Sequence, residues 1–399
     1  MIDQRPLRGI RVLDLSRVLA GPFCAMNLAD LGAEVIKIEV PGRGDDSRGY
    51  APRIPNSNDS GYYYSVNRGK RSVTLDLRKA EGAEILLDLA PLCDVMVENF
   101  SPGTMDRFQL GWERLHAANP RLILCSISGF GQTGPMASLP AYDIVAQALG
   151  GTMSITGPPD GEPTRCGVSI GDLAAALYGV IAILAALRER DLSGAGRHLD
   201  IAMLDCQVAW LEDALARYSV TGEVPGPIGS RHPSITPFQH FRATDGYFVA
   251  GCGNESIWQR FCDAIGMSDL QRDARFLTNA DRTANHAQLD PILQRHFAIN
   301  TRAWWLERLE LANVPCAPIA TVAEVAHNPH LEQRQMILRA AHPQFDRLIV
   351  PGSPLKTAGV SSAPDTRSPD LGEHTDSVLG TLLGYDAARI AQLRAKAII

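Results

Sequence analysis

Between residues 10 and 128, short apolar strand-like runs alternate with helical runs, and this alternation limits the fold more than any other feature. Ile10 to Leu15 reads as a buried strand and Ser16 to Gly21 as a loop. Pro22 suits the first turn of a helix running to about Leu31, and Gly32 suits its end. Val35 to Glu39 is a second strand, completing a βαβ unit of the nucleotide-binding type. Further strands are predicted at Ser72 to Asp76, Val95 to Glu98 and Arg121 to Ser128, with helices at Ala80 to Leu92 and Gly103 to Leu110. Strands and helices in this order imply an α/β protein with a parallel sheet covered on both faces.

The remaining 270 or so residues ask for more than one domain, since a chain of 399 residues spans about two or three. Ala141 to Leu149 reads as a helix bearing Tyr142 and Asp143. His198 to Ala202 reads as a strand, and Asp205 to about Ser219 as a helix. Thr221 to Pro227 is linker-like. Beyond it, strands at Pro233 to Phe241 and Gly246 to Gly251 and helices at Ile257 to Ile265 and Ala303 to Leu311 suggest a smaller, different unit. From Val322 the chain is loop-rich, with a last helix at Asp386 to Lys396.

A net charge of −6 argues against nucleic acid as the partner. The apolar stretch Leu173 to Leu187 is Ala-rich and short for a membrane span. The segment Met1 to Pro6 lacks the apolar core of a signal peptide. Eight scattered cysteines without a C-x-x-C pair indicate neither a zinc site nor a disulfide framework, so a cytoplasmic protein with reduced thiols and no metal is expected. Gly129 to Gly134 fits G-x-G-x-x-G, but Pro135 and Pro140 follow where a helix should open, and no acidic strand end lies at the required distance. A flexible substrate loop is expected there instead of a dinucleotide site.

The candidate for chemistry is Asp172. Cys166 to Ile170 is a short extended run, and a long Ala-rich run after Gly171-Asp172 reads as a largely buried helix closed by Arg188, Glu189 and Arg190. Asp172 is expected at the helix N-cap, where two roles fit. As a cap its carboxylate would bind the first free N–H groups. As a nucleophile it would be kept ionised by the helix dipole and attack an activated acyl carbon. Local spacing leaves both open.

Taken in order, a set of short motifs resembles the family III CoA-transferases, the group of formyl-CoA transferase, carnitine CoA-transferase and α-methylacyl-CoA racemase. The motifs are Leu7 to Asp14, Ala20-Gly21-Pro22, Leu31 to Glu39, Asn67 to Asp76, Val97-Glu98-Asn99-Phe100, Pro102-Gly103, Tyr142-Asp143, Gly171-Asp172, Val314-Pro315-Cys316 and Leu371 to Thr375. The resemblance implies a large Rossmann-like domain over residues 1–220 completed by 330–399. It also implies a smaller α+β domain over 225–325 and an interlocked homodimer. It implies an acyl-CoA:carboxylate CoA-transferase with Asp172 as the nucleophile. Coenzyme A would be a substrate, carried as a thioester, with no permanently bound cofactor.

The same resemblance assigns CoA contacts to Leu19, Ala20, Leu75, Arg78, Asn99, Phe100, Arg107 and Tyr142. Arg78 stands where some members have Lys. Leu19, Val40 and Pro140 stand where formyl-CoA transferase has Gln, Arg and Lys, which argues against a formyl/oxalyl substrate pair. The loop holding Gly229, Arg231 and His232 matches the family's mobile substrate loop. Members with a similar Arg-His-Pro stretch act on C4 and C5 dicarboxylates or their hydroxy relatives, so Arg231 and His232 are either ligands of a distal carboxylate or a polar surface turn. Tyr142 is a CoA contact or a core tyrosine, and Asp143 a second N-cap. Racemase-type proton transfer is the alternative activity, although the racemase branch has His where this chain has Tyr142. A non-catalytic acyl-CoA binder would keep the binding positions and not need Asp172.

Overall fold

The computed structural model describes residues 5–57, 59–357 and 366–399; the first four residues of the segment read for a signal peptide fall outside it. The chain divides into two compact units. One comprises the described parts of residues 1–151, 166–212 and 326–399, the other residues 152–165 and 213–325.

In chain order the first unit begins with β1 (Arg11–Asp14), α1 (Ala20–Asp30), β2 (Glu34–Glu39), α2 (Gly61–Val66), β3 (Lys70–Thr74), α3 (Ala80–Leu89) and β4 (Val95–Glu98). It continues with α4 (Thr104–Arg107), α5 (Trp112–Ala118), β5 (Ile123–Ser128) and α6 (Asp143–Leu149). After α7 (Thr152–Ile155), which belongs to the second unit, come α8 (Ile170–Ser193), β6 (His198–Ala202) and α9 (Met203–Ala209).

The six strands form one sheet in the order β3-β2-β1-β4-β5-β6, parallel throughout. Alternate residues face opposite sides, as the two-residue period of a strand requires. Leu13, Ile36, Ile38 and Val73 pack with α3 and with Val378, Leu379 and Leu393. Val12, Val35, Val95, Val97 and Ile127 pack under α1 and α8. The chain leaves β1 for β2 on one side and returns to β4 on the other, which opens a crevice beyond the carboxyl ends of β1 and β4. The outer side of β3 is sealed by residues from much further along the chain. His374 N donates to Ser72 O at 2.9 Å, Gly372 N to Ser72 Oγ at 2.9 Å and Asp76 N to Ile398 O at 2.8 Å.

Three expectations are corrected. The extended run before Asp172 is a pair of bends at Gly167 and Val168 that leads straight into α8. α8 runs for 24 residues, past Arg190 to a left-handed Gly194, so by length and composition it could cross a membrane. It is a core helix here: Ala174, Ala175, Gly179 and Ile183 are buried, and a Cβ on Gly179 would touch Cys24 and Ile127. The helix expected from Asp205 to Ser219 is two, α9 and Ala214–Thr221, because Glu212 takes a left-handed φ of 49° between them.

The second unit has its own antiparallel sheet of Phe238–Ala243, Gly246–Gly251 and Cys316–Pro318. Its core is aromatic: Phe241, Phe248, Trp258, Phe261, Phe297 and Trp305 are all buried.

Candidate active site

The loop after β1 is built on a close approach. A Cβ on Gly21 would fall 2.1 Å from that of Ser16, so only glycine lets the loop fold back on the start of α1. Asn99, just past β4, holds this loop with its amide. Its Oδ1 accepts from Arg17 N and its Nδ2 donates to Arg17 O, both at 2.8 Å. Val18 follows with φ 70°, a left-handed conformation that a β-branched residue rarely takes. Val18 N donates to Asp45, whose carboxylate also caps the 3-10 turn Asp46–Gly49.

Asp172 is not the N-cap. Ser169 occupies that position without a side-chain bond, and Asp172 is the third residue of α8. Asp143, the first residue of α6, accepts the Gly171 N–H at 2.8 Å. Gln147 Nε2 donates to the other Asp143 oxygen at 2.8 Å, and Gln147 Oε1 accepts from Cys166 N at 2.9 Å. The expectation that the helix start keeps Asp172 readily ionised is therefore overturned. Burial first, and then the Asp143 charge, push its carboxyl up to about 7. The reason is local: an amide that would have stabilised the carboxylate is already bound by a competing acid.

Asp172 faces a cavity of about 280 Å³. The walls come from Arg17 to Ala20, from Asn99 to Pro102, from Ile127 to Gly129 and from Leu139 to Tyr142, together with Asp46 and Tyr50. A second cavity of about 430 Å³ adjoins it, lined by Val40, Leu75, Arg78 and Phe108. Both cavities touch Arg17, Phe100 and Ser101.

Leu19, Ala20, Asn99, Phe100 and Tyr142 thus come together with Asp172. Leu75 and Arg78 line the adjoining space, where Arg78 is exposed and paired with Asp76 at 2.8 Å. Arg107 lines neither cavity. It is exposed on α4 and donates to Thr104 Oγ1 at 2.6 Å, and Thr104 does line the second cavity. Tyr142 is 77% exposed, so it is an aromatic rim and not a core tyrosine.

Gly229, Arg231 and His232 belong to the second unit. Gly229 has φ 69° and its N–H donates to Gly157 O at 2.9 Å. His232 Nδ1 accepts from Ser234 N at 3.1 Å, and its ring stands edge-on to Phe238. The enclosed Nε of Arg231 has no hydrogen-bond partner among the described residues. His286 is held below its usual pKa by burial and then by the nearby Arg231 charge.

Sequence reading missed Arg17, Tyr50 and Ser101, which line the site from loops without a local pattern. It also missed the environment of Glu98, whose carboxyl burial pushes up to about 7 although it accepts the Phe100 N–H at 2.8 Å.

A parallel sheet with a carboxyl-bearing helix start and two cavities that share lining residues at its switch point defines an α/β enzyme of the nucleotide-binding type. The model of "CoA-transferase family III" matches residues 7–375, and the chain belongs to that family. It is 39% identical over 397 residues to a succinyl-CoA:glutarate CoA-transferase of Mus musculus, covering 100% of this chain and 91% of that one. It is 43% identical over 355 residues to an acetyl-CoA:oxalate CoA-transferase of Acetobacter aceti, covering 89% and 90%. Among solved structures, a CAIB/BAIF family protein from Brucella suis superposes with a TM-score of 0.84 at 39% identity, covering 94% of this chain and 99% of that one. The protein is a CoA-transferase.

Proposed function

We propose that the chain moves CoA between the thioester of one carboxylic acid and another free acid, with Asp172 as the covalent carrier. The observation that carries this is the placement of Asp172: the third residue of α8, facing a cavity at the sheet's switch point. An Asp172 oxygen attacks the donor's thioester carbon, the C–S bond breaks, and CoA leaves as thiolate. The thiolate attacks Asp172 Cγ in the resulting anhydride, which releases the donor acid and leaves CoA on Asp172 as a thioester. The acceptor carboxylate attacks that Cγ and expels the thiolate. The thiolate then attacks the acceptor's acyl carbon, giving the new acyl-CoA and restoring the Asp172 carboxylate. Each tetrahedral oxyanion needs fixed donors, and backbone amides at the start of α1, which opens at Ala20 on the cavity wall, fit that role.

Leu19, Ala20, Asn99, Phe100 and Tyr142 contact the CoA thioester end in this scheme, and Leu75 and Arg78 the remainder. Arg107 meets a phosphate at the rim. The acids are dicarboxylates or hydroxy-dicarboxylates, in keeping with the glutarate and oxalate of the two relatives, and Arg231 or His232 holds the far carboxylate. CoA is a passing substrate, and the enzyme is a cytoplasmic homodimer.

The test is exchange of CoA from succinyl-CoA onto glutarate, read by mass spectrometry. Asp172→Asn should fold and bind CoA but lose turnover by at least a thousandfold, because an amide forms no anhydride. Wild type quenched after succinyl-CoA should carry a hydroxylamine-labile mass on the peptide containing Asp172. An active Asp172→Asn enzyme, checked for deamidation, overturns the proposal. Arg231→Gln should raise KM for glutarate more than for butyrate; equal effects would remove Arg231 from the site.

A further inference from the structure

Four fully buried charged side chains lie beneath the cleft, and the transfer reaction uses none of them. Asp14, Lys37, Asp45 and Lys70 have side chains with 0% exposure. Lys70 belongs to the sheet and the start of α1: its ammonium donates to Asp14, to Asn67 Oδ1 and to Pro22 O at 2.8–2.9 Å. Lys37 differs, because its bonds run to loops. Its Nζ donates to Ser16 O at 2.8 Å and meets Asp45 at 2.9 Å, with Asp14 further away at 3.8 Å.

We infer that Lys37 and Asp45 are positioning residues for the reaction: one buried ammonium–carboxylate pair fixes both loops that flank Asp172. The first loop, Arg17 to Ala20, is tied to Lys37 through Ser16 O and to Asp45 through the Val18 N–H, at 3.1 and 3.3 Å from its two oxygens. The second, Asp46 to Tyr50, is tied to Asp45 through Ser47, whose N–H and hydroxyl donate at 2.9 and 2.8 Å. Both loops line the Asp172 cavity. Arg17 and Asp46 also pair across them at 3.1 Å, but that bond is only partly buried and contributes little.

Two facts favour positioning over plain stability. A buried ion pair is a poor stabiliser compared with an apolar pair of the same volume. Val18 is held at φ 70°, where a β-branched residue stays only if its surroundings impose it. The Asp45 carboxylate, kept ionised against its burial by Lys37, supplies the acceptor that imposes it. A displacement of about 1 Å in such a loop can slow chemistry by about a hundredfold.

This inference rests on Asp172 as the nucleophile, and the experiment separates the two. Formation of the Asp172–CoA thioester from succinyl-CoA is followed in a single turnover by quenched mass spectrometry, and CoA affinity by calorimetry, on the full chain. Asp45→Asn should slow thioester formation about ten- to a hundredfold, a larger loss than its effect on CoA affinity. Asp45→Asn with Val18→Gly should regain at least threefold of that rate, since glycine takes φ 70° without strain. A merely structural Asp45 gives no such recovery. Should Asp45→Asn not fold, Lys37→Met with Asp45→Leu replaces the pair by apolar groups and should fold yet show the same rate loss. Wild-type rates in the folded Asp45 variants, or no gain from Val18→Gly, overturn the inference. A wild type that never carries CoA on Asp172 overturns the nucleophile itself, and the positioning role falls with it.

Discussion

The proton on Asp172 sets a working range for the enzyme. An unfolded aspartate titrates near 3.9, whereas the half-buried Asp172 carboxyl beside Asp143 is pushed up to about 7. Only the ionised form attacks, so kcat/KM should fall about tenfold per pH unit below 7 and level off above it. A profile already flat at pH 5 would contradict the raised value. The same shift has a sign for stability. The folded state binds the proton more tightly, so the favourable contribution is complete below about pH 4 and lost as pH rises through 7. Asp172→Asn cannot ionise, so its stability should match wild type near pH 4 and exceed it at pH 8, by at most about 4 kcal/mol, read as a higher melting temperature. Equal melting at both pH values would show that Asp172 is not strained by its charge. At this scale the sequence was only partly legible. Asp172 stood out through its setting between Gly171 and an apolar helix. Lys37 carried a quieter signal: a cation in the apolar strand Val35–Glu39 has to find a buried partner. Nothing local named Asp45 as that partner, because it lies in a Gly- and Arg-rich loop.

Two elements meet at the nucleophile, and their joint sets its acidity. α6 begins with Asp143, which takes the second amide of α8, so the start of one helix acts as the cap of the other. Asp143→Asn keeps an oxygen for Gly171 N–H and removes the charge, although its amide nitrogen then faces Gln147 Nε2. The acid limb of the pH profile should move down by about half to one unit, with a small loss of melting temperature. An unmoved limb would leave burial as the whole cause of the shift. Elements with strong local signals were legible: β4 and β6 have the bounds read from sequence, and α8 begins within a few residues of its expected start. The short helices Gly61–Val66, Trp112–Ala118 and Thr375–Leu383 were not read. Their sequences are too short for the 3.6-residue period to show, and packing decides them. The dismissal of Gly129 to Gly134 as a dinucleotide motif agrees with the loop seen there, with Gly131 and Gly134 at positive φ and no helix until Asp143.

At the scale of the molecule, α8 leaves one stripe uncovered. Leu177, Ile181, Leu184 and Leu192 share a face of the helix and are 37–73% exposed. If the homodimer proposed above forms, this stripe is the apolar surface a second copy would be expected to cover. Light scattering should therefore give twice the 43.2 kDa chain mass, and Ile181→Glu with Leu184→Glu should shift it toward the monomer. An unshifted dimer would move the interface elsewhere. The interlocking expected from family resemblance was never legible in the residues, since no local pattern encodes how two chains thread. Sealing of β3 by residues 366–399 has a consequence in time. The bond from Gly372 to Ser72 spans 300 positions. At a synthesis rate of about 5–20 residues per second, β3 exists for roughly 15–60 s before its cover is made. For that interval the nascent chain displays a strand edge with open N–H and C=O groups, the feature that draws strands together into aggregates. A holdase on the ribosome would find its target there, and a message truncated before codon 366 would leave that edge open for good.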